Sequence, residues 1–207
     1  MKFEKPGKIV IISSPSGGGK TSICKALLSP QRKKKGWRFS VSYTTRQKRN
    51  GEKSGREYFF VSEAEFDKNV REDFFAEYFK VHLYKYGTPR KPLDGVVKKG
   101  GVIILDVDVQ GAAAIRREYP DSISIFVLPP SVRELRRRLR RRGTETDEQL
   151  RVRFENAKKE MKEYKKFPYT VINKDLQRAV DEVLAIITAH PCRTENIKKE
   201  QIQKIVG

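Results

Sequence analysis

Residues 8–28 read KIVIISSPSGGGKTSICKALL, and this stretch joins three different local patterns. Residues 9–12 form a short apolar, β-branched run, which is typical of a strand buried on both faces. Residues 13–19 are rich in serine and glycine and have neither helical nor strand periodicity. Residues 20–28 then have the pattern of an amphipathic helix. A strand, a glycine-rich loop and a helix, with Gly-Lys-Thr at the junction, predict a phosphate-binding loop.

The residue types in this loop suit a nucleotide phosphate and a metal ion. Glycines let backbone N–H groups turn towards an anion, and the helix N-terminus adds the positive end of its dipole. Lys20 is expected to reach the β- and γ-phosphates, and the Thr21 hydroxyl to bind Mg²⁺. Ser14 stands where the strict pattern G-x-x-x-x-G-K-[ST] has its first glycine. The alternative is a solvated turn, which the run of three glycines after a buried strand disfavours.

Length and composition place the chain among single-domain proteins of the reducing cytoplasm. Its 207 residues suffice for one domain with a small insertion, and such a core needs neither disulfides nor a metal. Cys24 and Cys192 are few and far apart, so we expect reduced cysteines that serve as packing residues. No apolar stretch approaches a membrane span, and the N-terminal MKFEKPGK lacks the apolar segment of a signal peptide.

The chain is strongly basic, with 45 Lys and Arg against 26 Asp and Glu and a net charge of +19. Such an excess attracts polyanions, and nucleic acid is the obvious candidate. The alternative is a basic, solvated surface on a protein whose substrates are phosphates. We do not expect nucleic-acid binding, because no nucleic-acid module is recognisable and aromatic residues are not interleaved with the basic runs.

The rest of the chain alternates buried strands with helices. Apolar runs at 102–105, 123–128 and 169–173 alternate with amphipathic segments, which predicts a parallel sheet covered by helices. The first run ends in Asp106, and an aspartate in that position is expected to hold Mg²⁺ directly or through water. The alternative is an ordinary aspartate in a strand-end turn. Residues 37–90 interrupt the alternation and predict a small mixed subdomain inserted at the carboxyl edge of the sheet.

Local signals predict further elements. Residues 37–45 alternate like a strand, and 31–36 read as a basic loop. Capping-box spacing occurs at Ser62 and Glu65, at Ser131 and Glu134, and at Thr146 and Gln149, and predicts three helix starts. We also expect strands at 58–61 and 74–83, a turn at 84–89, a short helix at 91–99 and core packing by an apolar stripe within 150–164. Most of the seven arginines within 131–142 are expected on a solvated face.

Taken together, these motifs resemble guanylate kinase over nearly the whole chain. The resemblance rests on SPSGGGKT at 14–21, SVSYTTR at 40–46, G-x-x-x-G-x-x-Y from Gly51 to Tyr58, YGT at 86–88, LDVDVQG at 105–111 and RGTET at 142–146. Each is weak alone, but their joint occurrence in order is specific. The family transfers the γ-phosphate of ATP to GMP with Mg²⁺. The resemblance implies an α/β fold with a P-loop kinase core at 1–36 and 91–207, a GMP-binding insertion at 37–90 and a mobile lid at about 136–153.

The resemblance also implies the site residues. Lys20, Arg142 and Arg153 match catalytic cations, the last two on the lid side, and Thr21 and Asp106 match the magnesium ligands. The ATP contacts implied are Ser14, Pro15, Ser16, Gly17, Gly18, Gly19, Lys20, Thr21 and Ser22. The GMP contacts implied are Ser42, Glu77, Thr88 and Asp108 on the guanine side, with Arg46, Arg49, Tyr58 and Tyr86 on the phosphate side.

Glu77 has an independent argument from the residues. It interrupts the aromatic stretch 74–79, FFAEYF, where an unpaired buried charge would be costly. We therefore expect it to face a cleft or a partner, the alternative being an edge strand with the side chain in solvent. The N1–H and 2-amino groups of guanine match the two oxygens of one carboxylate, whereas adenine offers an acceptor and a C–H.

Two other functions are open on the sequence alone. Guanylate-kinase-like domains of scaffold proteins bind peptides and have lost catalytic residues, but this chain keeps Lys20, Thr21 and Asp106. The second alternative is a protein that binds a polyanion such as nucleic acid, which the net charge of +19 would favour. We expect small-molecule substrates, GMP and ATP, no membrane association, and a monomer or homo-oligomer.

Overall fold

The computed structural model describes residues 7–81, 83–141, 147–197 and 199–206. The strands are β1 (Lys8–Ser13), β2 (Trp37–Phe39), β3 (Tyr43–Thr44), β4 (Phe59–Phe60), β5 (Phe75–Val81), β6 (Tyr84–Pro89), β7 (Val102–Asp106), β8 (Ile123–Leu128) and β9 (Tyr169–Ile172). The helices are α1 (Lys20–Leu27), α2 (Pro30–Lys34), α3 (Glu63–Arg71), α4 (Arg90–Lys98), α5 (Val109–Glu118), α6 (Val132–Arg140), α7 (Asp147–Met161), α8 (Leu176–Ala189) and α9 (Lys199–Val206).

The chain divides into two compact units. The first comprises Met1–Ser13 and Leu28–Ser122, and the second comprises Ser14–Leu27 and Ile123–Gly207. In the first unit β2, β7 and β1 pair in parallel, with Ile11 opposite Leu105 and Phe39 opposite Ile104. Residues 9–12 and 102–105 are buried, as their unbroken apolar runs predict. The prediction of an α/β fold with a parallel sheet is confirmed.

The first unit also contains a mixed sheet, ordered β4, β3, β6, β5. Strands β5 and β6 pair antiparallel, so residues 84–89 form a strand and the prediction of a turn there is wrong. The turn-like composition of Gly87-Thr88-Pro89 misled it, because β6 is central, has Gly87 opposite Tyr43 and Tyr78, and has its last three residues buried.

The alternating stretch 37–45 is divided between the two sheets rather than forming one strand. Trp37–Phe39 pairs with β7, and the Ser40 N–H extends that ladder to the Ile104 carbonyl at 2.9 Å. Tyr43 then enters the mixed sheet, where its ring packs against Phe59, Phe74 and Phe75 at centroid distances of 4.7–5.7 Å. The aromatic cluster therefore begins the mixed sheet at β3, and β2 belongs to the parallel sheet.

In the second unit β8 and β9 pair in parallel. The same unit contains helices α1, α6, α7 and α8. Four residues of the predicted stripe are core on α7: Leu150, Phe154, Ala157 and Met161 pack with Leu135 and Leu139 of α6. Tyr164, the last residue of the predicted stripe, is exposed in the 3-10 helix that follows α7, so the prediction is wrong there. The Ser131 hydroxyl accepts the Glu134 N–H at 3.1 Å and starts α6, and Ser62 starts α3 in the same way. The third capping box depends on Thr146, which lies outside the described residues.

Two smaller predictions are corrected. Residues 31–34 of the predicted basic loop belong to the helix α2, since Pro30 is its first residue and the Ser29 hydroxyl accepts the Arg32 N–H at 3.3 Å. Cys24 is a buried packing residue, whereas Cys192 is exposed in the 3-10 helix His190–Cys192. Within the described ranges, the helices are all too short or too polar to cross a membrane.

Candidate active site

The glycine-rich loop follows β1 and forms a concavity of about 180 Å³ lined by residues 14–17 and 19–22. Gly17 and Gly19 have φ angles of +84° and +97°, which L side chains rarely adopt. The Gly18 N–H donates to the Pro15 carbonyl at 2.9 Å, and the Ser22 and Ile23 N–H groups donate to the Gly19 carbonyl at the start of α1. The loop therefore has the tight turn and the adjoining helix N-terminus that the sequence predicts.

Two side chains of α7 hold the loop at Ser16. The Glu160 carboxylate accepts the Ser16 N–H at 2.8 Å, and Arg153 Nε donates to the Ser16 hydroxyl at 3.0 Å. Arg153, which the resemblance matches to a lid-side catalytic cation, thus lies at the loop. Arg142 falls outside the described residues.

The predicted catalytic and magnesium residues occupy the ends of their elements. Lys20 is the first residue of α1 and is half-buried, and Thr21 and Ser22 follow it with exposed side chains. Asp106 is the last residue of β7 and is half-buried. The hydroxyl and the carboxylate are oxygen donors, the ligand type that Mg²⁺ prefers. Among the described residues, no cluster of three or more His, Cys, Asp and Glu has metal-site geometry.

Glu77 is a buried carboxylate of the first unit, with only 6% of its surface exposed. A register shift between Phe75 and Glu77 sets it opposite Thr88, whose hydroxyl donates to Oε1. The other oxygen, Oε2, is buried without a hydrogen-bond partner. Burial, with a smaller contribution from the charge of Asp108, raises the pKa of Glu77 to about 7. The alternative that this side chain points to solvent from an edge strand is therefore wrong, although β5 is an edge strand.

The other residues expected on the guanine side surround the same sheet end. Asp108 caps α5 by accepting the Gly111 N–H at 2.9 Å. Ser42 is buried and directly precedes β3, where Tyr43 is opposite Gly87, so the same register sets Ser42 beside Thr88. The structure thus places Glu77 and Thr88 on neighbouring strands, Ser42 just before the next strand, and the charge of Asp108 within electrostatic range of Glu77.

The cationic loop after β3 is organised by a carboxylate. Arg46 is buried, and both of its Nη atoms donate hydrogen bonds to the Glu52 carboxylate, at 3.0 and 2.9 Å. Its guanidinium carbon lies 5.4 Å from the ring centroids of Tyr58 and Phe60. The Arg49 N–H also donates to Glu52, at 2.8 Å. Burial raises the pKa of Glu52, but the hydrogen bonds from Arg46 and Arg49 outweigh that effect and hold it below the usual value.

The remaining residues expected near the GMP phosphate differ in exposure. The ring centroids of Tyr58 and Tyr86 are 5.8 Å apart and both residues are half-buried. Arg46, Tyr58 and Tyr86 are therefore brought together, whereas the Arg49 side chain is exposed. The loop has a buried, oriented cation and an exposed one.

Sequence reasoning missed four residues that shape these sites. Glu52 orients Arg46, Glu160 holds Ser16, and Arg138 and Asn173 hold the Gly18 carbonyl. Asn173 carried a usable signal, since it is a polar residue at the carboxyl end of a parallel strand. The other three carried none, because each is a charged residue among many of the same sign or type. Most of the described arginines within 131–141 are exposed, as predicted, and Arg138 is half-buried among them.

A glycine-rich loop between a buried parallel strand and a helix defines the class of P-loop nucleotide-binding proteins. Within it, the model of the family described as Guanylate kinase matches residues 6–190. A guanylate kinase of Caldanaerobacter subterraneus is 43% identical over 198 residues, covering 96% of this chain and 95% of the relative. One of Clostridium tetani is 44% identical over 192 residues, covering 93% and 90%.

The solved structures agree with the sequence relatives. The crystal structure of guanylate kinase from Anaplasma phagocytophilum has a TM-score of 0.75 and 32% identity, covering 92% of this chain and 89% of that one. The chain belongs to the guanylate kinase family, whose members are nucleoside monophosphate kinases.

Proposed function

We propose that this chain is an ATP:GMP phosphotransferase that gives ADP and GDP and requires Mg²⁺. One observation carries the choice of GMP: a buried carboxylate, Glu77, has one oxygen bound by Thr88 and the other without a partner. A buried polar atom without a partner is costly, so a substrate that supplies the missing donor gains binding energy. Guanine supplies donors at N1–H and the 2-amino group, which adenine lacks at the same edge.

The proposed roles follow the two anions that the reaction joins. Ser42, Glu77, Thr88 and Asp108 recognise guanine, and Arg46, Arg49, Tyr58 and Tyr86 hold the GMP phosphate. The loop residues 14–22 bind the ATP phosphates, with Lys20, Arg142 and Arg153 neutralising charge on the transferred group. We also propose that residues 37–90 form the GMP-binding region and that residues from about 136 to 153 form a mobile lid.

Phosphoryl transfer depends on positioning and charge neutralisation more than on covalent chemistry. Lys20, at the first turn of α1, adds a cation to the N–H groups of the loop. The Arg46 guanidinium, held in one orientation by its two hydrogen bonds to Glu52, supplies a fixed positive charge of the kind that binds a phosphate. Thr21 and Asp106 are the residues proposed to hold Mg²⁺, which would supply a Lewis acid that neutralises phosphate charge.

The test is a coupled assay of ADP formation with GMP, AMP, UMP and dTMP as acceptors. We expect strong activity with GMP and little with AMP, dependence on Mg²⁺, and no transfer to the pyrimidine nucleotides. Activity with none of the acceptors would favour a peptide-binding scaffold domain, and equal activity with all four would remove the role of Glu77. We propose small-molecule substrates, a cytoplasmic location and no nucleic-acid partner.

A further inference from the structure

The phosphate loop is held from outside by two side chains that meet at a single carbonyl. Asn173 Nδ2 donates to the Gly18 carbonyl at 3.0 Å, and Arg138 Nη1 donates to the same oxygen at 3.3 Å. Arg138 Nη2 also donates to the Asn173 carbonyl at 2.9 Å, which joins the two holders to each other. The carbonyl of one loop residue is therefore fixed by groups from α6 and from the end of β9.

Both holders are themselves fixed by further contacts. Asn173 is 5% exposed, and its N–H donates to the Leu128 carbonyl at 2.7 Å. Arg138 Nε donates to Glu134 at 2.8 Å. Hydrogen bonds from Arg137 and Arg138 lower the pKa of Glu134 to about 2, so this carboxylate stays ionised at neutral pH. The network thus connects the Gly18 carbonyl to the ends of β8 and β9 and to α6.

Fixing this carbonyl also fixes the direction of the next N–H. A trans peptide is planar, so its C=O and N–H point in opposite directions. The Gly18 carbonyl points to Asn173 and Arg138, and the Gly19 N–H of the same peptide therefore points away from them. Gly19 lines the concavity of the loop, whereas Gly18 is buried.

We propose that Asn173 and Arg138 are positioning residues that orient the Gly18–Gly19 peptide so that its N–H faces the bound phosphate. The inference rests on the proposed function for the anion that the loop takes. A loop without these contacts has a rotatable peptide, and it must lose that freedom when the anion binds. The close packing supports the role, because a Cβ on Gly19 would lie 2.1 Å from Asn173 Nδ2.

The deciding variant is Asn173→Ala, because it removes a hydrogen bond to the loop without changing the net charge. The probe is inorganic tripolyphosphate, which has the anion and lacks a base. We expect its dissociation constant to rise roughly five- to tenfold, the equivalent of one hydrogen bond, while adenosine affinity stays unchanged. Asn196→Ala is the matched control, because that amide donates to the His190 carbonyl at 2.7 Å on an exposed segment.

Arg138→Met gives a second, independent test, with Arg137→Met as its charge control. Both arginines are on α6 and pair with Glu134, but Arg137 is 65% exposed and Arg138 is 21% exposed at the loop. Each substitution removes one positive charge, so a merely electrostatic effect would be similar in both. Positioning predicts a distinctly larger loss of tripolyphosphate affinity for Arg138→Met, and it keeps the proposal testable if Asn173→Ala does not fold.

NMR of protein labelled with ¹⁵N-glycine measures the chemical shift of the Gly19 amide directly. The Gly19 amide should move downfield when tripolyphosphate binds to the unmodified protein, and should move less in Asn173→Ala. Unchanged tripolyphosphate affinity and an unchanged Gly19 shift in that variant would overturn the proposal. Loss of adenosine affinity alone would also overturn it, by making Asn173 a base contact. Because tripolyphosphate needs no GMP, failure of GMP phosphorylation would count against the proposed function and leave this result intact.

Discussion

Arg46 and Glu52 form a two-point ion pair, with Nη1 to Oε2 at 3.0 Å and Nη2 to Oε1 at 2.9 Å. The pair lies within one short loop, and the Arg46 side chain is 9% exposed. Glu52 therefore fixes the plane of the guanidinium before any substrate binds. An oriented cation loses less conformational freedom on binding a phosphate than a mobile one does.

We expect Arg46→Lys to raise the KM for GMP by about tenfold or more and to change the KM for ATP little. Lysine keeps the charge but loses the planar fork by which Glu52 fixes the orientation of the cation. Steady-state kinetics with each substrate varied in turn make the measurement. Arg56→Lys is the control, because Arg56 is exposed in the same loop and pairs with Glu57. Equal effects of the two substitutions would contradict a specific role for Arg46.

The unpartnered Oε2 of Glu77 predicts the choice of base. We expect Glu77→Gln to lose most GMP activity, by roughly a hundredfold or more, because the amide offers one acceptor where guanine presents two donors. AMP should remain a poor substrate of the unmodified protein. Glu72→Gln, at the exposed end of α3, serves as the control in the same acceptor assay. A Glu77→Gln protein with full preference for GMP would move base recognition to Ser42 and Asp108.

The same carboxylate predicts how stability depends on pH. Burial raises the pKa of Glu77 from 4.5 to about 7, so between these values the folded state binds a proton that the unfolded state has lost. The contribution of this group to stability therefore falls as pH rises from about 4.5 through 7.

Denaturant unfolding of the unmodified protein and Glu77→Gln across that range measures the effect. The stability of the variant relative to the unmodified protein should increase by roughly 3 kcal/mol from the acid end to the neutral end. A difference that does not change with pH would show that Glu77 titrates alike in the folded and unfolded states.

Lys20 is expected to act on the reaction rather than on the fold. We expect Lys20→Ala to abolish GDP formation and to leave the unfolding transition within about 1 kcal/mol, since the side chain is only half-buried. Lys25→Ala changes an exposed lysine of the same helix and should keep normal turnover. Near-normal GDP production by purified Lys20→Ala would refute the catalytic role.

A side chain at Gly19 would meet both an unfavourable backbone conformation and a close neighbour, whereas one at Gly51 would meet only the unfavourable backbone conformation. Gly19 has a φ of +97°, and its Cβ would lie 2.1 Å from Asn173, whereas Gly51 has a φ of +83° with nothing within 4 Å. We expect Gly51→Ala to cost about 1 kcal/mol of stability, the effect of the left-handed backbone alone.

Gly19→Ala should cost more stability and should also weaken ATP binding by more than about tenfold, because the loop must move away from Asn173. Thermal unfolding and ATP titration of both variants make the comparison. Equal losses in the two variants would show that the contact with Asn173 does not constrain the loop.

Sequence patterns predicted the parts of this site whose residues are neighbours in the chain and missed the contacts between residues far apart in it. The strand, loop and helix around Lys20 were predicted correctly, because their signals lie within neighbouring residues. The turn predicted at 84–89 was wrong, since the composition of Gly87-Thr88-Pro89 is typical of turns and only pairing with Tyr43 and Tyr78 makes it a strand.

The sequence by itself determined strands β1, β7, β8 and β9, the glycine-rich loop, the capped starts of α3 and α6, and the family. Periodicity, capping and motif order can all be read along the chain without knowing which distant residues touch. Only the tertiary structure decided that Glu77 is buried opposite Thr88 and that Asn173 and Arg138 hold the Gly18 carbonyl. It also decided that β2 pairs with β7 in the parallel sheet and is not part of the mixed sheet. The physical reason is that strand register and helix packing set the distances between residues far apart in the chain, and no local pattern encodes those distances.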